Sequence, residues 1–295
     1  MYSKKCVPLH CIKTNDKMAN RGRKITLFLI DGDPNGRIMC ELSNWSGKAY
    51  KIPRNHIKNS DDRDDLNNTG VYILFGKNEN GNNLAYIGEA ENIKQRLLQH
   101  LGSKDFWNET IVFISKDNNL NKAHIKYLES RLYDIAKEAD RYMLENSTKP
   151  TKSNISEPDQ AEMEEFIDNL QLLVNTLGHK IFESVISKRD STSDDVFQIN
   201  QKGLSAKGKP TNEGFVVFKE SSISLQLGAV NSSVIALREK LVMDGVIKET
   251  EETAILAKDY IFSSSSLAAT IVLGVSSNGP KSWKCNGKTL KELQQ

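Results

Sequence analysis

Two short apolar runs, residues 71–75 and 84–87, flank a polar stretch at 76–83 that contains Asn80-Gly81. Short β-like runs around an Asn-Gly step are the signature of a hairpin. Beyond Gly88 the period changes. Ile93, Leu97, Leu98 and Leu101 recur at helical spacing, so a helix begins near Glu91. Strand alternation puts Tyr72 with Leu74 on one face and Val71, Ile73 and Phe75 on the other. Tyr86 shares a face with Leu84 and Gly88. On the helix Arg96 and His100 are four apart and share a side, offset from the Ile93/Leu97/Leu101 stripe. The pattern predicts two tyrosines on a hairpin and an arginine on the next helix.

Upstream, residues 24–30 (KITLFLI) read as a strand, 31–36 as a dense turn and 37–42 as the returning strand. The turn also looks like the start of a calcium loop, with Asp31, Asp33, Asn35 and Gly36. Leu42 stands where that loop needs a glutamate, which favours the hairpin. Trp45, Tyr50 and Ile52 add apolar contacts, and Pro53 ends the element. Residues 59–68 (NSDDRDDLNN) are acidic, show no apolar face and read as a linker. Residues 110–114 (TIVFI) predict a third strand. Residues 122–140 predict a long helix capped by Asn121, with Leu128, Leu132, Ile135, Ala136 and Ala139 as its stripe. After a linker at 149–156, residues 158–177 predict an amphipathic helix with Met163, Phe166, Ile167, Leu170 and Leu173 on one face and Gly178 as its stop. Its acidic first turn suits the helix dipole. Residues 187–195 form a polar break. The C-terminal third reads as a separate α+β domain. It has strands at 197–199 and 214–218, a helix from Asn231 or Ser232 to 244, a second helix at 267–274 and a turn at 278–280.

A length of 295 residues predicts two or three domains. Lys and Arg total 40 against 38 Asp and Glu, a formal net charge of +2, so any nucleic-acid footprint is local. The N-terminal β-rich stretch concentrates Arg21, Arg23, Lys24, Arg37, Lys48, Lys51 and Arg54. They form either a face for nucleic acid or a solvated basic surface. Lys281, Lys284, Lys288 and Lys291 around Trp283 pose the same choice. They would meet a nucleic-acid backbone and a base, or they are an exposed lysine face beside a buried tryptophan. No apolar run is long enough to span a membrane, and no secretory signal pattern is evident. Cys6, Cys11, Cys40 and Cys285 are too scattered for a disulfide framework, which suits a reducing cytoplasm. Cys6, His10 and Cys11 suggest zinc, but the next candidates, Cys40 and His56, are far off, so a bland leader is favoured. Because Met18 precedes a better-looking start, residues 1 to about 20 read as a flexible extension or as the product of an upstream start codon.

Gly70-Val71-Tyr72, then Tyr86-Ile87-Gly88, then Arg96 resembles the defining pattern of the GIY-YIG endonuclease family, with Val71 in place of the middle isoleucine. The resemblance covers about residues 69–147. It implies an α+β fold with a small three-stranded sheet flanked by helices, DNA as substrate and a divalent metal, Mg²⁺ or Mn²⁺. It also implies a metal-holding glutamate on a later helix, and Tyr127-Leu128-Glu129 sits where that residue belongs. Asn146 resembles a polar residue the family often has after that helix. A second resemblance covers about residues 195–293, through Phe262-Ser263-Ser264, Ala268-Ala269, Leu273-Gly274, Asn278-Gly279, Trp283-Lys284 and Gly287-Lys288-Thr289-Leu290. It is to a C-terminal domain of unknown function that accompanies GIY-YIG nucleases in bacteria and phages. The expected organisation is a leader at 1–20, a β-rich module at 21–60, the nuclease domain at 69–147, a linker and amphipathic helix at 148–194, and an accessory α+β domain at 195–295.

Side-chain logic alone leaves Glu129 open. Its helical neighbours Ile125, Leu132 and Ala136 put a carboxylate at the edge of a buried face, where carboxylates are paired or metal-bound. Arg96, Lys126 or Arg131 is the structural partner; a cation is the functional one. With the resemblance, Glu129 becomes the metal ligand, Arg96 the phosphate clamp and Tyr72 the candidate general base. Tyr86 supports water or phosphate, and Gly88 allows close backbone approach. A phenol near pKa 10 is a poor base unless shifted. His100 is an alternative proton acceptor, or a helix-surface residue. Two other readings stand beside the nuclease. One is a non-catalytic nucleic-acid-binding protein that keeps the fold. The other is an interaction module built on the acidic helix at 160–173 and the C-terminal domain, with a stable protein partner or oligomer.

Overall fold

The structure is a computed structural model that describes residues 22–185, 196–201 and 203–294. The leader, with Cys6, His10, Cys11 and Arg21, and the polar break at 187–195 lie outside the described residues. The chain forms two compact units. The first takes the described residues up to Gly76 together with Tyr86–Glu129 and Thr151–Leu177. The second takes Lys77–Ala85, Ser130–Pro150 and the described residues from Gly178 on. No helix among the described residues is long and apolar enough to cross a membrane.

In the first unit the chain runs through β1 (Ile25–Leu29), β2 (Ile38–Leu42), β3 (Gly47–Pro53), β4 (Gly70–Lys77), β5 (Asn83–Ala90), α1 (Ile93–Ser103), β6 (Trp107–Ser115) and the start of α2 (Lys122–Ala139), whose residues from Ser130 on belong to the second unit. These strands lie in the order β1-β2-β3-β6-β4-β5. The three expected strands β4, β5 and β6 are present, and the N-terminal strands extend the same sheet. β3 pairs with β6 from Gly47 opposite Ser115 to Pro53 opposite Glu109. On its other edge β6 pairs with β4, Tyr72 opposite Val112. The β-branched run of β6 is buried throughout, and a buried strand needs a hydrogen-bonding partner at both edges. The far end of β5, in the second unit, pairs in parallel with β7 (Met143–Leu144).

Four of the N-terminal basic residues, Arg37, Lys48, Lys51 and Arg54, are internal ties. The 31–36 turn is a hairpin turn and not a cation loop, because the Asp31 carboxylate accepts from the Arg37 Nε and Nη2 at 3.1 and 2.6 Å. The Arg37 guanidinium holds that carboxyl down to about 2. Arg37 also pairs with Asp62, Lys48 with Asp65, and Lys51 with Glu109. Arg54 donates to the carbonyls of Leu101 and Lys104 and lies over the Trp107 ring, 4.7 Å from its centroid. The acidic stretch at 59–68 is therefore not a loose linker. It continues from one 3-10 turn, Arg54–Asn59, into a second, Asp64–Asn67. Leu66, 1 % exposed, packs with Ile57, Tyr50, Ile52, Tyr72, Ile93 and Leu97. The cations that fix the stretch are remote in sequence, which is why local patterning could not show it.

The expected amphipathic helix is α3 (Glu157–Thr176), capped by the Ser156 side chain. Its buried face carries Met163, Phe166, Ile167, Leu170 and Leu173. Phe166 meets Trp45 with ring centroids 4.9 Å apart, and Asn169 accepts from Arg23 at 2.9 Å.

The second unit holds most of the remaining strands in one sheet of order β14-β10-β9-β8-β15-β16 and the rest in another of order β11-β13-β12. They are β8 (Phe197–Gln201), β9 (Leu204–Thr211), β10 (Gly214–Val217), β11 (Ser222–Ile223), β12 (Ile247–Glu249), β13 (Ala254–Leu256), β14 (Tyr260–Phe262), β15 (Lys284–Cys285) and β16 (Lys288–Thr289). The helices are α4 (Ser232–Met243), α5 (Ser265–Leu273), α6 (Gly279–Ser282) and α7 (Leu290–Leu293). α5 is buried along six consecutive residues, Ala268 to Leu273, as a helix apolar on all sides must be. Trp283 is wholly buried in this core. It meets the Phe215 ring at 4.5 Å between centroids and donates its indole N–H to the Ser265 carbonyl at 3.0 Å.

Replacing Leu66 with alanine should remove about 2–5 kcal/mol of stability, as for a core leucine. Urea unfolding checks this; a change under about 0.5 kcal/mol is the result a surface linker would give.

Candidate active site

β4, β5 and α1 bring Tyr72, Tyr86, Gly88, Arg96 and His100 together. Tyr72 points into the core from the middle of β4 and is wholly buried. Its hydroxyl is 2.7 Å from the His100 Nε2, and it accepts from the Arg96 Nε at 3.4 Å. The Tyr86 and His100 rings meet edge to face at 5.4 Å, and the Tyr72 and Tyr86 rings lie 6.3 Å apart. The Lys104 ammonium stands over the Tyr86 ring, 4.3 Å from its centroid. Gly88 is required by this packing, because a Cβ there would overlap the Tyr72 hydroxyl and ring. α1 starts one residue past its cap Asn92, whose side chain accepts from the Gln95 N–H. That start sets which side of the helix faces the sheet. Ile93, Leu97 and His100 are buried on it, while Arg96 reaches the tyrosine hydroxyls from an exposed position. His100, 3 % exposed, is thus not a helix-surface residue.

The electrostatics divide the site. Burial holds the Tyr72 phenol well above its usual range, and a negative charge on Tyr86 would push it further; Arg96 pulls the other way. The Arg96 guanidinium is raised by its bond to Tyr72, with Tyr86 adding to the effect. Burial drives His100 down to about 4, and the positive Arg96 and Lys104 add to this. The imidazole is therefore neutral at neutral pH and its Nε2 can accept. Its Nδ1 is buried with no hydrogen-bond partner.

Glu129 lies half-buried on α2. Burial raises its carboxyl to about 7, the negative Glu89 pushes the same way, and Arg96 and Lys126 only partly offset them. The Arg96 and Lys126 charges thus leave the carboxylate uncompensated. A hard divalent cation favours such an oxygen donor. A single protein carboxylate is enough for Mg²⁺, which keeps several waters and takes other ligands from a phosphate. No cluster of three or more metal-binding side chains is found among the described residues. The donor set at Glu129 fits a cation of that kind and not a closed protein cage. Glu89, the residue after Gly88, was missed in the sequence because strand alternation turns it away from the Tyr86 face. Only the packing of α2 reveals its effect on Glu129.

The other candidates lie in the second unit. Asn146 is half-buried just past β7. Lys281, Lys284, Lys288 and Lys291 are exposed, and the last two strands set Lys284 opposite Thr289 and Cys285 opposite Lys288. Trp283 is not available to stack on a base, since its ring is core and its N–H is bonded to the backbone. What remains is the lysine face beside a buried tryptophan.

Residues 68–155 match the family model described as the GIY-YIG catalytic domain, and residues 197–294 match a domain of unknown function, DUF4357. No curated protein and no solved structure matches the chain. The GIY-YIG match covers Tyr72, Tyr86, Gly88, Arg96, His100, Glu129 and Asn146.

The raised Glu129 pKa has a consequence for stability. The fold binds this proton more tightly than the unfolded chain does. The stability it contributes is therefore present at low pH and lost as pH rises from about 4.5 to about 7. In chelator, Glu129→Gln should raise the melting temperature at about pH 8 by about 2–4 °C and leave it nearly unchanged at about pH 4. Thermal denaturation across that range checks it. An unchanged or lower value at the higher pH is the contrary result.

Proposed function

We propose that this GIY-YIG-domain protein is a metal-dependent endonuclease that hydrolyses phosphodiester bonds in DNA, with the C-terminal unit serving substrate or partner binding. The observation that carries the reading is the split charge of the site. Arg96 and Lys104 stand by the two tyrosines, and Glu129 holds a carboxyl raised to about 7. Phosphodiester hydrolysis needs both halves, positive charge for the phosphate oxygens and an anionic ligand for a cation.

In this reading Arg96 is the phosphate clamp. Its Nε is held by Tyr72 and its Nη1 donates to the Gln99 side chain at 3.1 Å, so the exposed guanidinium is fixed in angle and presents its remaining N–H donors to a phosphate. Glu129 is the ligand for Mg²⁺ or Mn²⁺, which when bound would polarise the phosphate and stabilise the leaving oxygen. Tyr72 is the candidate general base. A buried phenol with a raised pKa cannot wait as phenolate, so it must lose its own proton as it gains one. The His100 Nε2, at 2.7 Å, is placed to take that proton. With a pKa near 4 and a buried Nδ1 that has no acceptor beside it, His100 would hold the proton only briefly and return it to the Tyr72 oxygen, as Tyr72 passes the proton taken from water to the leaving oxygen. Water would reach the Tyr72 oxygen past Tyr86, the half-buried tyrosine, which orients it. Cys40 and Cys285 are buried and outside any disulfide among the described residues, which suits a protein of a reducing cytoplasm.

The test is cleavage of supercoiled, linear, branched and single-stranded DNA with Mg²⁺ or Mn²⁺ and with chelator. Cleavage should need the metal. Glu129→Gln should lower it by about a hundredfold or more while DNA binding persists. DNA binding without cleavage of any form would move the assignment to a binding protein that keeps the fold. His100→Ala should lower the cleavage rate about a hundredfold with little change in DNA affinity, the range of a general acid–base contribution. Parallel loss of binding would instead make His100 a packing residue.

A further inference from the structure

β1 is the end strand of its sheet and leaves large apolar side chains in water. Leu27 and Phe28 are each 50 % exposed and Leu29 is 38 % exposed. These residues lie on both faces of the strand, so among the described residues neither face is fully covered. No proline, lysine or bulge interrupts residues 25–29, the devices that normally protect an edge.

Backbone direction is fixed by the pairing with β2. The Ile30 N–H donates to the Arg37 carbonyl and the Ser43 N–H donates to the Lys24 carbonyl. Hydrogen-bonded residues alternate in an antiparallel pair, so Lys24, Thr26, Phe28 and Ile30 face β2. Ile25, Leu27 and Leu29 therefore aim their N–H and C=O groups away from the sheet.

The flanking charges select the occupant. Arg23 and Lys24 precede the strand, and Asp31 and Asp33 follow it; Arg23 also donates to Asn169 and Asp31 also accepts from Arg37, while Lys24 and Asp33 are exposed. A second copy in antiparallel alignment about Leu27 would set Leu27 against Leu27, Ile25 against Leu29 and Arg23 against Asp31. Each outward-facing residue then meets another, which the hydrogen-bond pattern requires. A parallel alignment would instead bring like charges together. We propose that β1 is a self-complementary edge through which two copies of this chain pair, antiparallel and centred on Leu27. The contact is isologous and closes at two. It is also small, in the class that dissociates readily, so the dimer should depend on concentration.

Sedimentation of the full chain from about 1 to about 200 µM tests this. The apparent mass should rise from 33.1 kDa towards about twice that, and Leu27→Lys should stay monomeric with an unchanged melting temperature. A monomer throughout, a larger assembly, or unchanged association of Leu27→Lys would overturn the proposal and leave the edge to a partner of another kind. Register is tested by oxidation in a Cys6→Ser, Cys11→Ser, Cys40→Ala background, because Cys40 lies opposite Leu27 in the same chain. Leu27 faces itself across the axis at about 5.5 Å between Cα atoms, within disulfide range. Phe28 faces Thr26 and lies about 7–8 Å from its own copy, beyond that range. Leu27→Cys should therefore cross-link to itself and Phe28→Cys should not; equal cross-linking of both would refute the alignment.

Discussion

A buried phenol hydroxyl must be hydrogen-bonded, and most of the site's geometry follows from how Tyr72 meets that demand. Its oxygen is enclosed by β4 and α1 and is satisfied by His100 at 2.7 Å and Arg96 at 3.4 Å. Leaving such a group unpaired would cost about 1–3 kcal/mol. The bond to Arg96 orients an otherwise flexible exposed side chain. The bond to His100 explains why a histidine occupies a buried helix position among Ile93 and Leu97. The ring also explains Gly88, since no side chain fits beside it. One enclosed hydroxyl thus ties together residues from two strands and a helix.

Charge is placed as deliberately as volume. Burial lowers His100 and the cations Arg96 and Lys104 add to it; burial raises Glu129 and the anion Glu89 adds to it. Both shifts move a group away from its charged form, at opposite ends of the site. A phosphate would relieve the cationic end and a divalent ion the anionic end. Neither ligand need be held by many protein groups, because each is drawn by charge that the fold has left uncompensated.

Elsewhere, charges are spent on the fold itself. Arg37, Lys48, Lys51 and Arg54 look in sequence like a basic surface, yet each is tied to an acid or a carbonyl distant along the chain. Those ties draw the acidic 59–68 stretch against the sheet and let Leu66 and Ile57 join the core. The sheet grows from three strands to a wider one for the same reason that β6 could not stand at an edge. Its buried, β-branched residues leave no water to satisfy the backbone.

The sequence by itself determined the local elements and the candidate site residues. The Asn80-Gly81 hairpin, the helices at α1, α2 and α3, and Tyr72, Tyr86, Arg96 and Glu129 at family spacing were legible because periodicity and motif spacing are properties of neighbouring residues. Only the tertiary structure decided what lies between distant segments. It made His100 a buried partner of Tyr72 and not a surface residue, and it revealed Glu89 as the neighbour that raises Glu129. It converted Arg37, Lys48, Lys51 and Arg54 into internal ties and enclosed Trp283 where a base-stacking surface had been one of two readings. Hydrogen bonding, burial and charge act through space, and no pattern read along the chain contains the distances on which they depend.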